Sequence, residues 1–419
     1  MDLKIFNDNE SAVRGYIRSF PVVFNKAIGS IMTDTNGKDY IDFFAGAGTL
    51  NYGHNNQFFK PTIIEYLQSD AIIHSLDMAT VAKKEFITAF VESILKPRNL
   101  DYKLQFTGPT GTNAVEAAMK LARQVTGQTN ILAFTHAFHG VSAGALTATA
   151  NQKFRKAAGY PLSNVTFMPY DGYLGDNVDT VHVIEKMIDD PSSGLDKPAA
   201  ILVETIQGEG GINIASDEWL QGLEKLCKDR DILLIVDDIQ SGCGRSGDFF
   251  SFEKSGINPD IVTLSKSISG YGLPMALVLL KPEYDIWKPG AHNGTFRGNN
   301  LAFVGATAAI KQYWTDDGLS QEVKRKEVIL RDRLLAIAQK YPDTEITVRG
   351  RGLMYGLASA KQPDLAEAIA QKAFELGLII ETSGAYGEVL KFLPSITIDD
   401  DTLNSGIDIV EKSIQSLLN

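Results

Sequence analysis

Ile232-Leu233-Leu234-Ile235-Val236-Asp237-Asp238-Ile239-Gln240-Ser241-Gly242-Cys243-Gly244-Arg245-Ser246-Gly247 changes character halfway along. It opens with five apolar residues in a row. A strand with one face in water alternates apolar and polar residues, so this run reads as a strand buried on both faces. Two carboxylates, a glutamine and a glycine-rich turn follow at its carboxyl end. Such a strand belongs inside a sheet covered by helices on both sides, which is an α/β architecture.

The flanking sequence repeats the theme. Lys103–Phe106, Asn130–Phe134, Val165–Met168, Ala199–Glu204 and Ile261–Ser265 are further strand candidates. Helix-like stretches such as Thr112–Val125, Asp179–Ile188 and Ser216–Asp229 lie between them. Strands alternating with helices pair in parallel, and ligands of such sheets sit at the carboxyl ends of the strands. The last part differs. It reads as a long helix over Leu319–Lys340, strand over Glu345–Leu357 with a turn at Arg349–Gly352, and a helix near Pro363–Leu376. Strands near Leu378–Glu381 and Val389–Leu393 and a helix from Asp400 complete it. This α+β pattern predicts a large domain over residues 56–315 and a smaller one over 316–419, with residues 1–55 joining the smaller.

The chain has 419 residues, 44% of them apolar and 22% charged, enough for a sizeable core. Lys and Arg total 40 against 51 Asp and Glu, a net charge of −11. That balance argues against nucleic acid or anionic membrane as a partner through bulk charge. Cys227 and Cys243 match no metal-ligand or disulfide pattern and read as reduced thiols. No leader and no long apolar span is visible, so the expectation is a cytoplasmic protein.

Four segments could carry chemistry. Asp237 or Asp238 at the strand end could keep a pyridine nitrogen protonated, because an adjacent anion favours the cation; equally, the pair could cap a helix or bind a metal. Gln240 could bond a ring oxygen. Lys266 directly follows Ile261–Ser265. A lysine there is either a solvated charge, as most are, or a partly desolvated amine ready to form a Schiff base. Phe106–Glu116 links a strand to a helix, with Gly111 and Thr112 at the helix start where free N–H groups suit an anion. It lacks the P-loop ending and is also compatible with an ordinary capped helix. In Thr135–Gly140, Phe138 could lie flat on an aromatic cofactor, whereas His136 and His139 lack a third ligand, so no metal is expected.

Taken together, Asp237–Gly247, Thr263–Lys266 and the Gly111-Thr112 turn resemble the class III pyridoxal-phosphate aminotransferases, of fold type I. The resemblance runs from about Arg18 to the last helix. It implies pyridoxal 5′-phosphate (PLP) on Lys266, Asp237 at the pyridine nitrogen, Gln240 at the phenolic oxygen, Gly111 and Thr112 at the phosphate, and Phe138 on the ring. It implies that Thr295, in His292–Asn300, reaches the phosphate of a neighbouring subunit in a homodimer. Arg18–Phe24, Asp42–Gly48, Asn51–Asn56 and Ser265–Pro274 are similar to members that pass the amino group of L-glutamate to L-aspartate 4-semialdehyde. Related ω-aminotransferases and aminomutases are the alternatives within the fold, and a nucleotide-binding α/β protein is the alternative outside it. Two arginines of the family are replaced, by Val141 and by Lys391. In the family the second arginine trades between a glutamate, here Glu209, and the substrate carboxylate. Lys391 is expected either to take that part as a point charge or to be a surface lysine.

Overall fold

The computed structural model describes residues 3–418. Its centre is a seven-stranded sheet in the order Lys103–Phe106, Leu277–Leu280, Ile261–Leu264, Leu233–Asp237, Ala200–Val203, Ile131–Phe134, Val165–Met168. Every strand foreseen in this region is present. Leu277–Leu280 was not foreseen, and it runs antiparallel to both neighbours while the others pair in parallel.

The apolar run that announced the sheet is buried throughout. Its side chains alternate between two cores. Leu233 and Ile235 join Ala200, Leu202 and the helix Gly111–Thr126 on one face. Leu234 and Val236 join Ile201, Val203, Trp219 and Leu223 on the other. Burying an Ile or Leu side chain stabilises by about 1.5–3 kcal/mol, so both faces must be apolar and the pattern loses its period of two.

A second, antiparallel sheet has the order Ile346–Arg351, Met354–Ser359, Val389–Phe392, Glu381–Ser383. The helices Gly318–Lys340, Leu365–Glu375 and Asp400–Leu418 pack around it. The turn of its first hairpin falls later than the sequence suggests. Gly350 lies inside the strand, where a Cβ would meet the Tyr355 ring at 2.3 Å, and Gly352 makes the turn with φ +63°. The single strand expected near Leu378–Glu381 is two. Leu378–Ile379 pairs in parallel with Asp39–Asp42, the last strand of an N-terminal meander that includes Phe24–Ile28 and Ile31–Asp34. Glu381–Ser383 pairs instead with Val389–Phe392, and this sets Glu381 directly across from Lys391.

Arg245, fully buried, ties distant parts of the chain together. Its Nη1 donates to the carbonyls of Leu353 and Pro394, and its Nη2 to Asn51 Oδ1 at 2.7 Å. Burial, opposed by Asp42, brings its pKa down to about 9. Cys227 and Cys243 are buried free thiols. Among the described residues no helix is long and apolar enough to cross a membrane.

Candidate active site

The carboxyl ends of the central strands open into a cavity of about 250 Å³. Among its lining residues are Gly111, Thr112, Phe138, Asp237, Gln240 and Lys266. Residues from four separate stretches of sequence thus meet in one place. A wider cleft of about 510 Å³, between Asp77, Lys83, Tyr102 and Arg297, shares none of them.

Lys266 sits at the end of Ile261–Leu264 with φ +51°, a left-handed backbone unusual for lysine. Its Nζ donates to Ala47 O at 2.8 Å. Burial lowers its pKa below the ordinary lysine value, and Lys391 pushes the same way against Glu209, Glu381 and Asp237. A depressed pKa makes more free amine available at neutral pH.

Asp237 and Asp238, indistinguishable in sequence, have different surroundings. Asp238 turns away from the opening and orders the loop, accepting from Ser241 Oγ at 2.9 Å and Ser251 N at 3.1 Å. Burial raises its pKa to about 6 in spite of those bonds. Asp237 lines the cavity. It accepts from Thr263 Oγ1 at 3.2 Å and pairs with His139 Nδ1 at 2.7 Å. His139 is buried and its Nε2 has no partner. With its Nδ1 on Asp237 it is a positioning group, while His136 packs against Tyr173. Among the described residues no group of three or more His, Cys, Asp or Glu could hold a metal.

Thr110 precedes the helix Gly111–Thr126 without capping it, so the first N–H groups face the cavity mouth unclaimed by that side chain. Thr112 Oγ1 meets Ser142 Oγ, which donates to Glu116 Oε1 at 2.7 Å. Phe138 also lines the cavity and packs edge-on against Phe154 at 5.4 Å. Its N–H donates to Glu204 Oε2 at 3.0 Å. Glu204 is a further buried carboxylate of the cavity, and burial with Asp237 nearby raises its pKa well above the usual range. Gln240 donates through Nε2 to Ala47 O and Glu209 Oε1, and its buried Oε1 has no partner.

Lys391 is no surface lysine. It is fully buried, with Nζ 2.6 Å from Glu209 and 2.9 Å from Glu381. Glu209 reaches the cavity; Val141 lines it too, on the exposed side. Burial opposes the charge of Glu209, yet Lys391, Lys266 and Gln240 together bring its pKa down to about 2. Thr295 does not join this cavity. It is exposed, next to the exposed ring of Phe296, and its carbonyl accepts from His74 Nε2 at 2.6 Å.

Three contributors escaped the sequence reading: His139 as a partner for Asp237, Glu204, and Glu381, which lies 2.9 Å from Lys391. Only His139 carried a local signal, its place beside Phe138. The others depend on pairings between distant segments.

A family model described as "Aminotransferase class-III" matches residues 14–414. The chain belongs to the class III aminotransferases. It is 64% identical over 418 residues to a diaminobutyrate–2-oxoglutarate transaminase of Bordetella parapertussis, covering 100% of this chain and 96% of that protein. A protein of the same name from Sporosarcina pasteurii is 55% identical over 417 residues, covering 99% and 97%. Among solved structures, the ornithine aminotransferase of Toxoplasma gondii superposes with a TM-score of 0.85 at 25% identity, covering 99% of this chain and 94% of that one.

The cofactor of this aminotransferase is pyridoxal 5′-phosphate, and the cavity fits it. An amine of lowered pKa, a carboxylate fixed by a buried imidazole and a helix start of free N–H groups all face one space. The partnerless Oε1 of Gln240 and Nε2 of His139 mark polar capacity left unused by the protein.

Proposed function

We propose that the enzyme transfers the amino group of L-glutamate to L-aspartate 4-semialdehyde, giving L-2,4-diaminobutyrate and 2-oxoglutarate. The observation that carries the reading is the full-length identity of 64% to a diaminobutyrate–2-oxoglutarate transaminase, together with a cavity in which Lys266 and Asp237 converge.

Lys266 would hold PLP covalently through its amine, Asp237 would pair with the pyridine nitrogen, and Gln240 would face the phenolic oxygen. Gly111 and Thr112 would take the phosphate and Phe138 the ring face. Bound PLP supplies an electron sink for the carbanion left when a proton leaves the substrate. The Lys266 amine takes the Cα proton of glutamate as a general base and returns it as an acid. His139 holds Asp237 in place, and the surrounding apolar residues limit water. Lys391 swings from Glu209 to a substrate carboxylate. Both substrates use one cavity in turn, so the kinetics are ping-pong.

We assign Thr295 to the phosphate of a neighbouring subunit, which makes the working form a homodimer or a larger assembly of dimers. We assign the enzyme to the cytoplasm and its product to ectoine synthesis; loss of the gene should then deplete ectoine in salt-stressed cells.

A coupled assay tests the substrate. Glutamate is offered with aspartate semialdehyde, succinate semialdehyde or glutamate semialdehyde in turn. Preference for the first is expected, and equal turnover of all three would overturn the assignment.

A further inference from the structure

The Lys266 amine rests on a turn of unusual shape. Ala45, Gly46, Ala47 and Gly48 have φ of +46°, +60°, +57° and +79°. Left-handed residues normally occur singly, and alanine enters that region at a cost. Four in a row persist only where the surroundings hold them. Here they are held from both ends. Asp42 Oδ1 accepts from the N–H groups of Phe44 and Ala45 at 2.8 and 2.9 Å. Ser267 Oγ donates to Gly48 O at 2.9 Å and accepts from Asn51 N at 3.1 Å. Ser267 follows Lys266 directly, so the turn and the lysine are fixed to one another.

Between these clamps the Ala47 carbonyl accepts from Lys266 Nζ at 2.8 Å and from Gln240 Nε2 at 3.1 Å. Among the described residues the amine makes no other hydrogen bond. A lysine on a flexible four-carbon stem needs a tether to act as a base, because its lone pair must face the proton it takes. A carbonyl that accepts one N–H fixes the direction of that lone pair. A carboxylate in the same place would hold the ammonium about twice as strongly and so oppose the free base.

We infer that the left-handed turn Ala45–Gly48 positions the catalytic base, its Ala47 carbonyl holding the freed Lys266 amine with the lone pair toward the substrate Cα. Ala47 is a positioning residue and acts through its backbone. The inference rests on Lys266 as the lysine that carries PLP.

Gly46 tests the turn, because it lies outside the cavity lining and an added Cβ would meet nothing closer than 3.6 Å. Asn enters the left-handed region readily and a β-branched residue does not. Gly46→Val should turn the carbonyl away; Gly46→Asn should keep it in place. The first readout needs no cofactor. Reductive methylation of the apoenzyme, read by mass spectrometry, should label Lys266 about fivefold faster in Gly46→Val, the worth of one hydrogen bond. Lys326, buried in the helix Gly318–Lys340, is the folding control. The second readout is a single turnover of PLP-loaded enzyme with glutamate carrying hydrogen or deuterium at Cα. Its rate constant does not depend on the active fraction. Gly46→Val should lower the saturating rate about tenfold to a hundredfold, as misplacing a reacting group does. The isotope effect should persist and the half-saturating glutamate concentration should stay the same. Gly46→Asn should recover most of the rate. If Lys326 labels faster in Gly46→Val, the fold has failed, and Ser267→Ala, which releases Gly48 O, takes its place with the same expectations. Equal labelling and equal rates in the Val and Asn variants overturn the inference, as does a rate loss without an isotope effect. A Lys266→Ala enzyme that keeps the covalent chromophore overturns the PLP reading, and this inference with it.

Discussion

Lys266 combines a left-handed backbone with an amine in a desolvated pocket. Its pKa is depressed, so the free-amine form persists to lower pH than for an ordinary lysine. The rate at which apoenzyme recaptures PLP should therefore rise with pH along a titration whose midpoint lies below 10.5, the unperturbed value. Stopped-flow absorbance checks this, and a midpoint at or above 10.5 would contradict it. Lys266→Ala should abolish the covalent chromophore and reduce turnover by at least ~10²–10⁴-fold, the usual worth of a general acid–base group. His139 acts through Asp237. His139→Phe should lower kcat by about tenfold to a hundredfold, the loss of one charge-assisted hydrogen bond, and weaken cofactor retention in step. His139→Gln keeps a donor and should recover part of both, whereas a merely structural histidine would not distinguish the two replacements. At this scale the sequence was most informative where a residue follows a strand directly. Lys266, Asp237 and Gln240 could be named because strand ends face ligands. Glu204 and Glu381 could not, because their significance comes from neighbours contributed by other segments.

Strands and turns were legible to the extent that burial forces a pattern. The run Ile232–Val236 had no other explanation, and the parallel strands around it followed. Leu277–Leu280 is equally apolar but short, and no helix separates it from the preceding strand in the way a parallel crossover needs. Its antiparallel direction removes that requirement. The hairpin turn was misplaced because two glycines compete for it, and only packing against Tyr355 rules out Gly350. One turn bears directly on the cavity. Gly140 has φ +126°, and a Cβ there would meet Thr112 Oγ1 at 2.6 Å. Gly140→Ala should cost about 1–3 kcal/mol in backbone strain. It should also displace Thr112, so that thermal unfolding and PLP dissociation both shift; a stable variant with unaltered PLP affinity would show that this contact does not position the phosphate end.

The assembly proposed for the whole molecule turns on Thr295, exposed and outside its own chain's cavity. Co-expression of Lys266→Ala chains with Thr295→Ala chains gives mixed dimers that decide the matter. If Thr295 serves the neighbouring site, each mixed dimer keeps one site with both groups intact and should recover normal PLP affinity at that site. If it serves its own chain, no site is intact and recovery fails. The pairing of Asp39–Asp42 with Leu378–Ile379 has a separate consequence for synthesis. The N-terminal meander leaves the ribosome about 335 residues before its partner strand. At ~5–20 residues per second it waits for tens of seconds with an open edge. Nascent chains stalled before Leu378 should therefore be cleaved readily by protease near Asp39–Asp42, and those stalled well beyond it should resist.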